Sequence, residues 1–399
     1  MGAERAAGIE RDRAFVLVCA LLNPFTTEKS NWPLSASAAD AQRIHEFACF
    51  HGVRPALFKA LSLRPNLPPA IEQLRARLVD FQVLHRFAVM QDTGQIVDLA
   101  RAFEAAQIDA LFFKGATLGE QIYGGAQFRE FNDIDVLVRP AERERAIAEI
   151  QGLQFRPIVA DHRIRRSFFD YLRQHSFRST ETGAVVDLHW DFVGTGPFPV
   201  TTEQALSRRT HILLGGTLIP VPSAETQALI LAGHGHKENW ASFGWILDFA
   251  TFTAVNPDLS WHHIARSAKA QHCLEPILGA ILLVERIFGH TIDPYLAALA
   301  AKLHDLVQNI DVVISRSKNL TDRQFAEELL GGFRLCETPF QKFKMAGSLL
   351  LTPTIGDFEA MPLTYRWWWI YRLTRPLRLL SRKLLGFAPT PSGFLSQGH

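Results

Sequence analysis

Through the first hundred residues apolar positions recur at three- and four-residue steps, the spacing of amphipathic helices. Ser37 is placed to cap a helix that runs to Phe50 and stops at Gly52. Pro68 and Pro69 open a longer helix in which Ile71, Leu74, Leu78, Phe81, Leu84 and Phe87 share one face. That pattern continues through Ile96, Leu99 and Phe103, with a break expected at Gly94. Ala14 to Leu22 is an apolar run of nine residues, well short of the roughly 20 that span a bilayer. Glu4 and Glu10 precede it and no small-residue cleavage site follows, so it reads as a buried helix rather than a signal peptide.

The period changes at Ile108. Ala110 to Phe113 is a short apolar strand ended by Lys114-Gly115, and Ala116 to Tyr123 reads as a helix. Asp133 to Val138 is the next strand; Pro140 then sits in the first turn of a helix reaching Gln151 and closed by Gly152. A strand over 154–159 precedes two more, His175 to Thr180 and Ala184 to Phe192, joined by the turn Glu181-Thr182-Gly183. A second hairpin turns at Gly215-Gly216, between 211–214 and 217–221. From Ser223 the helical period returns, with helices over about 240–255, 260–271, 274–289 and 293–309, and 351–363 reads as a loop. This order predicts an α+β protein. Four regions follow: helical residues 1–107, a mixed core over 108–222, a helical domain over 223–350 and a tail over 351–399.

Composition adds exclusions. With 47% hydrophobic and 21% charged residues, the chain is neither disordered nor fibrous. Cys19, Cys49, Cys273 and Cys336 form no CxxC pair, which disfavours zinc ribbons and thioredoxin-type sites. Such sparse use fits a reducing, cytoplasmic setting. The formal net charge of +2 hides an asymmetry. Six of the 42 basic residues follow Met361 (Arg366, Arg372, Arg375, Arg378, Arg382 and Lys383), and no acidic residue lies beyond Glu359. The preceding chain therefore has 36 basic against 40 acidic residues, a balance of −4. Long DNA is a poor partner for such a body, because phosphate contacts need many cations.

The chemistry concentrates in carboxylates. Residues two apart in a strand face the same way, so Asp133 and Asp135 project together while Ile134 and Val136 face the other side. Two charges opening an otherwise apolar strand need a reason, and Mg²⁺, which takes one or two carboxylates plus phosphates, supplies one. Asp187, His189 and Asp191 likewise share a face opposite Val186, Leu188, Trp190 and Phe192. If this strand lies beside the first, Asp187 completes a three-carboxylate site able to hold two metals. The competing arrangement is an edge strand with a solvated polar face. Lys114-Gly115 permits close backbone approach and places a cation and a helix N-terminus where phosphates bind. No GxxxxGK[ST] occurs, so a P-loop is excluded.

These parts together resemble the nucleotidyltransferase superfamily of the polymerase-beta type. The matching residues are Phe113-Lys114-Gly115, Tyr123, Arg129, Asp133 to Val138 and Val186-Asp187-Leu188-His189-Trp190. Within that superfamily they are most similar to a largely uncharacterised bacterial branch patterned LKG…Y…R…DxDxLV…VDLHW. The likeness extends to His234–Asp248, with Trp240 and Trp245, and to Arg372–Leu380. The resemblance implies a mixed-sheet core flanked by helical regions and transfer of a nucleoside monophosphate from an NTP to an acceptor. It implies that Asp133 and Asp135 hold two Mg²⁺ ions, and that Asp187 binds the catalytic one and helps activate the acceptor hydroxyl. Lys114-Gly115-Ala116-Thr117 replaces the superfamily's Gly-Ser turn, with Thr117 standing in for the serine. A natural product, a modified peptide or a sugar phosphate is the acceptor this implies, with tRNA or a protein hydroxyl as the alternative.

Nucleotide contacts are further assigned to Arg129, His236 and Lys237. His189 would orient Asp187 or meet the acceptor. His234 and His236 lie two apart on a helix, so they face different ways and do not form a zinc pair. Asp248, on an aromatic helix, reads as a tertiary hydrogen bonder. In the tail, aromatic residues from Tyr365 to Tyr371 are interleaved with arginines, and Leu373, Leu377, Leu380 and Leu384 follow at helical steps. Such a segment either packs on the body or lies at an anionic membrane surface. A non-catalytic binding or membrane-docked module on the same fold is the remaining alternative.

Overall fold

The computed structural model describes residues 13–26, 36–159, 173–194, 196–301, 333–353, 355–361 and 363–385. Helix α1 (Arg13–Leu22) is buried along most of its length. Helix α2 (Ala38–Phe50) starts on a capping box in which Ser37 and Asp40 satisfy each other's backbone N–H groups. Helix α3 (Arg54–Ser62) leads to α4 (Pro69–Ala105), 37 residues long, or about 55 Å.

Two expectations for α4 are corrected. It does not break at Gly94. A mid-helix glycine costs only about 1 kcal/mol, and burial of Val89, Ile96, Val97 and Leu99 on either side outweighs that. The buried face also departs from the expected stripe. Ile71, Leu74 and Leu78 are buried, but Leu84 and Phe87 are exposed. Repeated steps of three turn steadily off a 3.6-residue face. The face instead continues through Gln82, His85 and Val89. Gln82 donates to the Gln127 carbonyl at 2.9 Å, and His85 Nε2 lies 2.8 Å from the Arg129 carbonyl.

The central sheet contains β1 (Ala110–Phe112), β2 (Ile134–Val138), β3 (Phe155–Pro157), β4 (Gln174–Ser179) and β5 (Val185–His189). Their order is β1-β2-β5-β4-β3, with β2 and β5 parallel and the other pairs antiparallel. Strand β5 therefore lies inside the sheet, and the edge-strand arrangement does not occur. Helix α5 (Gly115–Tyr123) follows β1, and α6 (Arg143–Gly152) follows β2. After α7 (Thr202–Ser207) come β6 (Arg209–Leu214) and β7 (Thr217–Pro222), a separate hairpin that packs on β1 and α4.

The sheet divides two cores. Ile134, Val136, Val138, Val186 and Leu188 face one, with α4 residues Val89 to Phe103. On the other side Leu137, Phe113, Leu118 and Ile122 join a larger core that also takes in α1 to α3. This larger core includes helices α8 (Ala224–Lys237), α9 (Phe243–Val255), α10 (Trp261–Ala270), α11 (Glu275–Phe288) and α12 (Pro294–Ala300). Phe243 meets both Phe15 and Phe47, so the first and later helices share one aromatic cluster. Residues 302–309 of the helix expected over 293–309 lie outside the described residues.

Near the C-terminus α13 (Pro339–Leu351), α14 (Ile355–Ala360) and α15 (Ile370–Leu385) follow. The expected loop over 351–363 thus holds a short helix. Asp357 within it receives Arg375 Nη1 at 2.6 Å and Arg378 Nε at 2.7 Å, a charge pairing that ties α14 to α15. Among the described residues no helix is long and apolar enough to cross a membrane, and the four cysteines are unbridged.

Candidate functional site

The turn from β1 into α5 is made by two consecutive residues with positive φ, Lys114 at +64° and Gly115 at +44°. A side chain at Gly115 would bring its Cβ within 3.1 Å of the Asp133 carbonyl oxygen. Glycine is therefore what allows this turn to sit against the backbone that enters β2. The Lys114 backbone is held where L-residues are rarely found, and its Nζ lies 3.7 Å from Asp135 Oδ2. The lysine thus reaches the carboxylate face of the sheet from the mouth of α5.

Parallel pairing sets Asp135 beside Asp187 in direct register, and Leu137 beside His189. Strand alternation puts all four on the larger-core side. His189 Nε2 lies 3.0 Å from Asp135 Oδ1. The ligand atoms of Asp135, Asp187 and His189 all fall within 4.8 Å of one another. Asp133, one residue before β2, is outside this tight group but joins its electrostatics. Opposite Asp187 on β4 is Ser176, whose side chain favours the ionised carboxylate.

The three carboxylates do not titrate alike. Burial opposes ionisation of Asp135, but the Lys114 charge and the His189 hydrogen bond outweigh it and hold Asp135 below the usual carboxylate range. Burial, then the neighbouring charges of Asp135 and Asp187, push Asp133 up to about 7. Asp187 is raised mainly by burial, with Asp135 adding to it. Three acids against the Lys114 cation leave an excess of negative charge in a secluded place. Oxygen-rich donors with unbalanced charge fit a hard divalent cation such as Mg²⁺, and His189 is set to orient one ligand.

A pH dependence follows from Asp133. Its folded value lies above the ordinary value of 3.8, so the folded state keeps a proton that the unfolded chain has lost. The stability this contributes is complete below about pH 4 and is lost as pH rises through about 7. A cation that neutralises the ionised cluster should then stabilise the fold most at high pH. Thermal melts are expected to show a larger Mg²⁺-induced rise at about pH 8 than at about pH 5.5. Equal shifts at both would contradict this reading of the cluster.

The other sequence-predicted residues are placed unevenly. Arg129, its side chain 12% exposed, binds Asp248, with Nε and Nη2 each 2.9 Å from Oδ2. Asp248 Oδ1 also accepts the Tyr123 hydroxyl at 2.9 Å, so this aspartate is the tertiary hydrogen bonder expected of it. The Arg129 charge still acts on Asp133. Thr117 is buried and its hydroxyl donates to the Lys114 carbonyl at 2.8 Å, which braces the turn. His236 points away from the carboxylates: its Nε2 lies 3.0 Å from the Arg334 carbonyl, and burial lowers its pKa to about 4. Lys237 pairs with Glu238 at 3.1 Å.

His234 was not assigned a site role from sequence, yet its electrostatic neighbours are Lys114, Lys237, Arg129 and His189. Burial, then the charges of Lys114, Lys237 and Arg129, drive its pKa far down, and its ring meets the Trp245 ring at 5.2 Å. Its spacing three residues before Lys237 was the available signal. Ser176 was also missed, although the alternation of its strand marks it as facing the same side as Gln174.

No curated protein matches this chain. Among solved structures, one similar fold is the solution structure of the antibiotic-resistance factor ANT(2'')-Ia. It shares 12% identity over 45% of this chain and 91% of that one, with a TM-score of 0.33, too remote to bear on the site. A family described as uncharacterised nucleotidyltransferase matches residues 37–289. That span holds the KG turn, β2, β5 and the helices packed over them, and it is more than half of the chain. By that match this protein belongs to the uncharacterised nucleotidyltransferase family.

Proposed function

We propose that Asp133, Asp135 and Asp187 form the metal-binding centre of this transferase and that a hydroxyl of a small molecule, peptide or sugar phosphate is its acceptor. Nucleotidyl transfer, the movement of a phosphorus-containing group from an NTP, is the activity class of the family. The observation that carries the site assignment is the in-register placement of Asp135 beside Asp187 on parallel strands, with His189 3.0 Å from Asp135.

In this reading Lys114 and the first N–H groups of α5 take the triphosphate, as a helix N-terminus suits anions. Bound Mg²⁺ supplies neutralisation of phosphate charge at the reacting oxygens. His189 fixes the rotamer of Asp135. Asp187 faces the acceptor and receives its hydroxyl proton as the new oxygen–phosphorus bond forms and the bond to pyrophosphate breaks. Arg129, clamped by Asp248, lends positive charge beside Asp133. Positioning and charge neutralisation carry most of the rate. The balance of −4 before the tail supports a small acceptor over a long nucleic acid.

Calorimetry with each of the four NTPs, with and without Mg²⁺, tests the site. Mg²⁺-dependent binding of at least one NTP is expected, and binding of none would sink the assignment. Incubation with that NTP and cell extract should then add an NMP mass to a small molecule or peptide. The same mass on tRNA instead would overturn the acceptor assignment and leave the site intact.

A further inference from the structure

Helix α15 is amphipathic in the inverted sense. Its polar side faces the protein: Arg375 is 3% exposed and, with Arg378, is bound by the buried Asp357. Tyr371, on the same side, is 1% exposed and donates its hydroxyl to the Met361 carbonyl. The opposite side carries Leu373, Leu377 and Leu380 at steps of four and three, and Leu377 is 68% exposed. Soluble surfaces are ordinarily built the other way round, with leucines inward and arginines outward.

The neighbouring helix also leaves large apolar side chains outward. α13 packs against α15 and turns Met345 inward while Phe340, Phe343, Leu350 and Leu351 stay exposed. Trp367 and Trp369, just before α15, are also exposed. Exposed cations accompany this apolar surface: Lys342 and Lys344 on α13, Arg366 and Arg372 beside the tryptophans. From Pro339 to Leu385 the sequence holds eight Lys+Arg against two Asp+Glu, a net charge of +6. Asp357, one of the two acids, is spent on Arg375 and Arg378.

We propose that α13, α15 and the tryptophan segment between them form a docking surface for an anionic lipid bilayer. Leucine and phenylalanine side chains enter the boundary between headgroups and acyl chains, and tryptophans sit at the headgroup level. Lys342, Lys344, Arg366 and Arg372 meet the lipid phosphates. Charge selects this occupant over a second copy of the chain, because a twofold contact would set two surfaces of the same positive sign against each other. The inference is independent of the carboxylate site, which lies on the sheet.

Co-sedimentation of the full chain with vesicles tests it. Vesicles of phosphatidylcholine containing about 30% phosphatidylglycerol are expected to pull down the protein, with a blue shift of tryptophan emission. Pure phosphatidylcholine vesicles should retain about tenfold less. The triple substitution Leu373→Ser, Leu377→Ser, Leu380→Ser should cut partitioning about tenfold or more, with an unchanged circular dichroism melt because all three side chains are exposed. Equal binding by that variant, or no binding of the native chain to anionic vesicles, overturns the proposal. A native dimer in sedimentation equilibrium that the same triple variant splits, without vesicle binding, overturns it in favour of self-association.

Discussion

Asp135→Asn is expected to lower nucleotidyl transfer by about a thousandfold or more while leaving the chain folded. Asp135 is the point where the site's contacts converge. Lys114 Nζ approaches one oxygen at 3.7 Å, His189 Nε2 the other at 3.0 Å, and Asp187 lies beside it in register. Asparagine keeps the shape but removes the charge that the proposed metal-binding role of Asp135 and its approach to Lys114 both need. Losses of this size, about 4 kcal/mol in the barrier, are what removal of a preorganised electrostatic group produces. The fold should survive because the buried cluster has surplus negative charge. Removing one acid relieves repulsion on Asp133 and Asp187 but forfeits the attraction of Lys114 and His189, and these opposing changes should leave the substituted protein folded with a melt close to the native one at about pH 8. The measurements are single-turnover transfer and a thermal melt. Native-level transfer by Asp135→Asn would show that the assignment is wrong. A collapsed melt would show instead that the cluster is structural. Asp187→Asn, which touches neither Lys114 nor His189 in the same way, then serves as the second probe.

Asp248→Ala should destabilise the fold by about 3–5 kcal/mol, a fall in melting temperature on the order of 10 °C for a unit of this size. The carboxylate accepts the Tyr123 hydroxyl on one oxygen and Arg129 on the other; Tyr123 and Asp248 are buried and the Arg129 side chain is 12% exposed. Burial and the Asp248 charge hold the Tyr123 phenol well above its ordinary pKa, so it stays a donor. Alanine would strand a guanidinium with little access to water, and its uncompensated charge is the source of the cost. The pair itself is not the source of net stability. Consequently the double substitution Arg129→Met, Asp248→Leu should recover much of the loss, whereas an exposed, weak ion pair would show a small effect in every variant. Recovery of stability without recovery of transfer would assign Arg129 a role at the site beyond packing.

Much of the candidate site's geometry was legible because strand alternation is a local property. Asp133 and Asp135, and Asp187 with His189, were placed on common faces from spacing alone, and the apolar partners in between were assigned to the opposite side. The KG turn was legible too, since glycine after a strand and before a helix has few other uses. The errors arose where the signal was not local. Phe81, Leu84 and Phe87 extend the apolar spacing of Ile71 to Leu78, but steps of three drift off a helical face. Polar Gln82 and His85 are buried in their place because the Gln127 and Arg129 carbonyls wait for them across the chain. His234 could not be separated from His236 by residue type. Helix geometry says only that two such residues face different ways, and which one meets the site depends on how α8 packs.

The sequence by itself determined the alternation of faces, the helical and strand periods, the acids on two separate strands and the basic tail. Each of these is read along one continuous segment, without any pairing between distant segments. Only the tertiary structure decided that β5 lies beside β2 and inside the sheet, that Asp135 and Asp187 meet in register, and that His189 turns to Asp135. It also decided that Arg375 faces Asp357 while Leu377 faces outward. The physical reason is that register between strands and the rotation of a helix against its neighbours are set by long-range packing. They are fixed when two hydrophobic cores close on opposite sides of one sheet, and no short stretch of chain carries that information.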